Sequence, residues 1–172
     1  MEFKMRALNS YISLAYHFTK NLLEKEPEKT FIFNQKFNNN NNFDTFSAWQ
    51  LETYIEMIFI KVFVLLEYLE ELNIADKYKI DKKLLKAGLR PYVAHKGTHK
   101  DFSLLSLPTN TLVIAERVKI EDNQIFLTLL SGNHTEKVSA ATPHKINLTE
   151  KIFRPHFDFI KENYPHWLNY SA

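Results

Sequence analysis

The sequence predicts a mainly α-helical protein, a bundle of about four to five helices with an added β-hairpin, in a single domain over residues 1–172. Three observations predict it. Apolar residues recur at spacings of three and four along two long stretches. A later segment switches to Val, Ile, Leu and Thr runs of strand length. A hydrophobic fraction of 45% in 172 residues is ample for one core without disulfides or metal.

The first helix is expected over residues 3–25, where Leu8, Tyr11, Ile12, Ala15, Phe18, Leu22 and Leu23 fall along one stripe and Pro27 ends the run. A connector with Phe31, Ile32 and Phe33 leads into five consecutive asparagines, 38–42. Asparagine side chains compete for their own backbone, so this stretch reads as a flexible surface loop. A second helix is expected over residues 47–73, about 40 Å long at 1.5 Å per residue. Ser47 and Gln50 match a capping box. The middle of this helix is apolar on nearly every side, which marks it as the most buried element. Lys61, inside that run, must reach solvent along its stem or find a partner.

Asp81 is a good cap for a third helix, with Leu84, Leu85 and Leu89 as its apolar side. Gly88 weakens that helix, Pro91 breaks or kinks it, and Gly97 ends the following piece. Residues 111–120 and 125–130 read as the two strands of the hairpin, with Glu121 to Gln124 as the turn. A loop is expected over residues 131–143. A last helix is expected over 149–163, kinked near Pro155, after which Trp167 and Leu168 fold back onto the core.

Composition narrows the function. Without cysteine there is no thiol nucleophile, disulfide or cysteine-bound metal. The three glycines, Gly88, Gly97 and Gly132, never cluster, which argues against a phosphate-cradling loop, and no Gly-x-Ser-x-Gly is present. The charged, uncleavable N-terminal stretch and the short apolar runs imply neither a secretory leader nor a membrane span, so a cytoplasmic protein is expected. Net charge is +2, but Lys77 to Lys100 holds eight basic side chains against Asp81 alone. That local excess of seven positive charges suits an anionic partner, or a solvated lysine-rich helix face.

Inside the basic segment, Arg90 is followed by His95. Imidazole titrates near neutrality and can move the proton of a ribose 2′-hydroxyl. Guanidinium stays charged and its flat fork matches phosphate oxygens. On an ideal helix a separation of five turns the two side chains about 140° apart, and Pro91 is the break that could realign them. Lys82, Lys83, Lys86, Lys96, His99 and Lys100 are candidates for contacts to a nucleic-acid backbone. Tyr92, and also Tyr78, could stack on an unpaired base. His95 and His99 have the spacing of two metal ligands on one helical turn, but no third ligand follows clearly beyond Asp101, so no metal is expected. Of the other histidines, His17 on the first helix reads as a partly buried side chain.

Leu89-Arg90 and Val93-Ala94-His95 resemble the arginine–histidine signature of the HEPN superfamily. The resemblance covers residues 47–100 and implies a helical bundle that dimerises and brings signature residues of two chains into one cleft. It implies a metal-independent, cofactor-free endoribonuclease acting by 2′-hydroxyl attack, in a toxin–antitoxin or phage-defence setting, with an antitoxin or other regulatory protein as partner. Arg90 would then stabilise the phosphate and His95 transfer the proton. Pro91 stands where that family commonly carries a polar residue. The alternative is a non-catalytic interaction or RNA-binding module.

Overall fold

A computed structural model describes residues 2–32, 43–82, 84–85, 111–133 and 142–170. Helix α1 is Glu2–Lys25 and helix α2 is Thr45–Glu71. Asp44 begins α2: its carboxylate accepts the backbone N–H groups of Phe46 and Ser47, each at 3.0 Å. The Ser47 hydroxyl, together with the backbone N–H groups of Ser47 and Phe46, holds the Asp44 carboxyl below the usual aspartate range. The cap is therefore Asp44, not Ser47 with Gln50. An ionised acceptor three residues earlier gives the stronger bond. At the other end Asn73 takes the left-handed conformation, φ 56°. Ile74 N–H then reaches Leu69 C=O at 3.0 Å and Asn73 N–H reaches Glu70 C=O at 3.0 Å, which satisfies carbonyls the helix leaves open.

The two helices run antiparallel in a fixed register. Lys4 Nζ lies 5.9 Å from the Tyr68 ring centroid, Lys61 Nζ lies 5.2 Å from that of Tyr11, and Phe18 stacks on Tyr54 at 5.2 Å. Successive contacts are seven residues apart on each helix, the repeat of a two-helix seam with shallow crossing. Lys61 has thereby found its partner, an aromatic face.

The remaining layer is a sheet. Strands β1 (Phe31–Ile32), β2 (Thr111–Glu121), β3 (Gln124–Asn133) and β4 (Thr142–Asn147) lie in that order, each antiparallel to its neighbour. Val118, Ile120, Ile125, Leu127 and Leu129 alternate inward and join the helices in one core. Asp122 and Asn123, at φ 48° and 60°, form the two-residue turn whose twist matches paired strands. After β4 a wide helical turn, Thr149–Phe153, leads into α3, Arg154–Asn163. Asn147 Oδ1 accepts Glu150 N–H at 3.2 Å, and Thr149 Oγ1 accepts Ile125 N–H at 2.9 Å, fastening this start to the hairpin. Pro155 sits in the first turn of α3, directly after the wide turn, whose last bond runs from Arg154 N–H to Thr149 C=O. Trp167 is buried and stacked on Tyr164 at 4.0 Å.

The expected bundle of four to five helices is not the architecture. Among the described residues, three α-helices pack against a four-stranded antiparallel sheet. The hairpin was expected and is present. However, Phe31 and Ile32 extend it on one side and Thr142–Asn147 on the other. β4 is a sheet margin, so its sequence, Thr-Pro-His-Lys-Ile-Asn, is polar and escapes an apolar pattern. Residues 131–133 and 142–143 of the loop expected at 131–143 belong to strands, and 134–141 lie outside the described residues. Of the expected third helix, Asp81 does accept Leu84 N–H at 2.9 Å, and Leu84 and Leu85 are buried. The expected break at Pro91, the stop at Gly97 and the asparagine run lie outside the described residues.

Candidate functional site

Of the residues singled out in the basic segment, Lys82 and Tyr78 are among those described, and Lys82 Nζ lies 3.6 Å from Asp76 Oδ1. Arg90, His95, Lys83, Lys86, Tyr92, Lys96, His99 and Lys100 lie outside the described residues. Tyr78 is not a stacking platform: it is fully buried. Its hydroxyl is 2.8 Å from His156 Nδ1, and His156 Nε2 is 3.1 Å from Asn9 Oδ1. Because Asn9 presents an oxygen, the ring carries its proton on Nε2 and the Tyr78 hydroxyl donates to Nδ1. Desolvation lowers the His156 pKa to about 3 and raises that of Tyr78 well above its ordinary value. A neutral imidazole with both nitrogens bonded and no exposure ties α1, the segment after α2, and α3 together. It is a structural element, not an acid–base catalyst. His17, in contrast, is exposed and edge-on to Tyr16.

The feature that sequence reasoning missed is the outer face of the α1–α2 pair. Phe46, Trp49 and Ile60 of α2 are 64%, 56% and 39% exposed, and Phe3 and Leu14 of α1 are 82% and 52% exposed. Tyr11 and Phe18, read from the sequence as core, join them at the edge of the seam. At 100° per residue Phe3, Tyr11, Leu14 and Phe18 span about 80° of α1, and Phe46, Trp49 and Ile60 about 60° of α2. The buried stripes, Met5, Leu8, Ile12 and Leu23 on one helix and Leu51, Ile55, Val62 and Leu69 on the other, point the opposite way, into the common core. Two antiparallel helices on one core turn their outer arcs to the same side, so these side chains form one apolar face. An open groove of about 510 Å³ beside it is lined by Phe18, Leu22 and Tyr54 together with the polar Asn21, Glu24, Lys25 and Gln50. The signal lay in α2, whose apolar residues go nearly all the way round. One sheet and one neighbouring helix cannot cover every side of it.

Charge divides across this face. Helix α1 carries Lys4, Arg6, Lys20 and Lys25 against Glu2 and Glu24, a net of +2. Helix α2, with Glu52 buried, carries Glu56, Glu67, Glu70 and Glu71 against Lys61, a net of −3. Among the described residues no three His, Asp or Glu side chains gather to hold a metal ion, and no helix is long and apolar enough to cross a membrane. Compared with protein-family models, curated proteins and solved structures, the chain has no match.

Proposed function

We propose that this chain is an interaction module that works by docking through the outer face of α1 and α2. The observation that carries the reading is the alignment of Phe3, Leu14, Phe46, Trp49 and Ile60, all exposed, along one side of the helix pair. Single exposed apolar residues are ordinary, whereas five large ones turned to one side of a helix pair mark a surface that is covered in use. Full transfer of such a side chain from water stabilises by roughly 1.5–3 kcal/mol, and at exposures of 39–82% these five keep part of that to be gained on docking. The test is the native size of the chain in cell extract at its natural level. Wild type elutes well above 20.4 kDa, and Leu14→Glu with Trp49→Glu returns it to the monomer position. Wild type at the monomer position in extract overturns the reading.

A second reading rests on the basic segment. A metal-independent ribonuclease, with His95 transferring the proton and Arg90 holding the phosphate as the HEPN resemblance implies, is supported by the seven excess positive charges from Lys77 to Lys100. Cells expressing wild type lose RNA integrity and growth, and cells expressing His95→Ala keep both. Equal growth and equal RNA integrity reject it.

A further inference from the structure

We infer that the occupant of the outer face is a second copy of this chain, related by a two-fold axis, with α1 of each protomer lying against α2 of the other. The inference rests on the docking reading above and adds the identity of the partner.

Charge selects the partner and the pairing. A two-fold interface brings the same surface together from both sides, so it must be complementary to itself. Counting only side chains that are not buried, α1 is net +2 and α2 net −3, so each α1–α2 contact between protomers is attractive and occurs twice. The other arrangement sets α1 on α1 and α2 on α2, and both contacts are repulsive. The face thus favours its own copy in one orientation and disfavours it in the other.

Size and composition agree. With 24 residues, α1 is about 36 Å long, and two adjacent helices are about 20 Å wide, giving a face of roughly 700 Å². A stable interface buries about 800 Å² per partner. The apolar anchors are spread over that whole length, since the register of the seam sets Phe3 at one end, Leu14 and Ile60 near the middle, and Phe46 and Trp49 at the other end. Lys25, Glu67 and Glu71 are exposed on the same two helices and supply the charged margin. Aromatic and aliphatic side chains inside a charged margin are the anatomy of a protein–protein contact.

The experiment is sedimentation velocity of the purified full-length chain from about 1 to 100 µM, a range that brackets micromolar dissociation constants. The expected species is about 41 kDa, twice the 20.4 kDa of the chain, and Leu14→Glu or Trp49→Glu returns it to the monomer with unchanged helical circular dichroism. Lys4→Glu, which lies level with Glu67 and Glu71 in the register of the seam, and separately Glu67→Lys with Glu71→Lys, each weaken self-association by about tenfold or more, and mixing the two variants restores a dimer. A monomer throughout overturns the inference. If the Trp49-dependent complex in extract persists beside a purified monomer, the docking reading stands and the second copy is wrong. A dimer insensitive to both Glu substitutions also overturns it, as does failure of the charge-reversed pair to associate better in mixture than alone.

Discussion

Tyr78 and His156 are 78 residues apart in the chain and joined by a 2.8 Å hydrogen bond at a place where neither side chain reaches solvent. The bond spans two segments that no strand pairing links, the turn after α2 and the body of α3. Asn9 completes it from α1 on the far side of the ring. A buried polar group is tolerable when each of its bonding positions is filled, as here, and costly when one is left empty.

That arrangement makes folding depend on pH. The His156 pKa falls from 6.5 to about 3 because burial excludes the charged form. Below pH 6.5 the unfolded chain takes up a proton that the folded chain refuses, so stability is full above pH 6.5 and declines progressively to about pH 3. The slope approaches about 1.4 kcal/mol per pH unit once the unfolded imidazole is mostly charged. Urea unfolding at pH 7 and pH 5 checks it. The interval from pH 7 to pH 5 lies above the ordinary ranges of Asp44, Glu2 and Glu121, whose carboxyls are held lower still. His156→Gln shows a flatter decline between the two pH values. An identical decline in wild type and variant rejects the assignment.

Removing the donor tests the same network at constant pH. Tyr78→Phe keeps the ring packed near Phe159, 5.0 Å between centroids, and deletes the hydroxyl. His156 then has a nitrogen without a partner in a dry place, which costs about 1–3 kcal/mol. Chemical denaturation at pH 7 reads the loss. A change under about 0.5 kcal/mol, the scatter of an ordinary surface substitution, places the hydroxyl outside the stabilising set.

The turn between β2 and β3 makes a prediction of the opposite sign. Asp122 and Asn123 both hold positive φ, a conformation in which a Cβ crowds the backbone. Asparagine tolerates it, and glycine does so without the crowding. Asn123→Gly gives the Asp-Gly pair that two-residue hairpin turns favour, and raises stability by about 0.5–1 kcal/mol. Asn123→Val, branched at the crowded position, lowers it. Thermal melts of the two variants should bracket wild type, and the reverse order contradicts the turn geometry.

Periodicity made the helices and the hairpin legible and left the sheet margins illegible. In α1 the three-and-four spacing of Leu8, Ile12, Ala15 and Leu23 marks residues that are indeed buried. Tyr11 and Phe18 satisfy the same spacing yet sit at the seam, half exposed, because spacing reports the side of a helix and not what covers it. β1 contributes only Phe31 and Ile32, too few for an alternation to register. The Tyr78–His156 bond joins positions with no local relation, and it left no trace in the order of residues. The candidate site divides in the same way. Its apolar excess is visible in the 45–71 stretch, but which part of that excess stays outside depends on where the sheet lies.

The two isoleucines Ile58 and Ile60 turn that distinction into a measurement, because they have the same chemistry and stand two residues apart on α2. Ile58 is fully buried and Ile60 lies on the outer face. Ile58→Ala removes methyl groups from a packed core and costs about 2–5 kcal/mol at any protein concentration. Ile60→Ala removes the same atoms from a surface and costs the isolated chain under about 1 kcal/mol. If the face is covered by a second copy, the cost of Ile60→Ala grows as protein concentration rises, since association stabilises the folded chain by mass action. Thermal melts of both variants over a hundredfold concentration range separate the cases. A large, concentration-independent loss for Ile60→Ala would put that side chain inside the monomer core and remove the apolar face on which the docking reading stands.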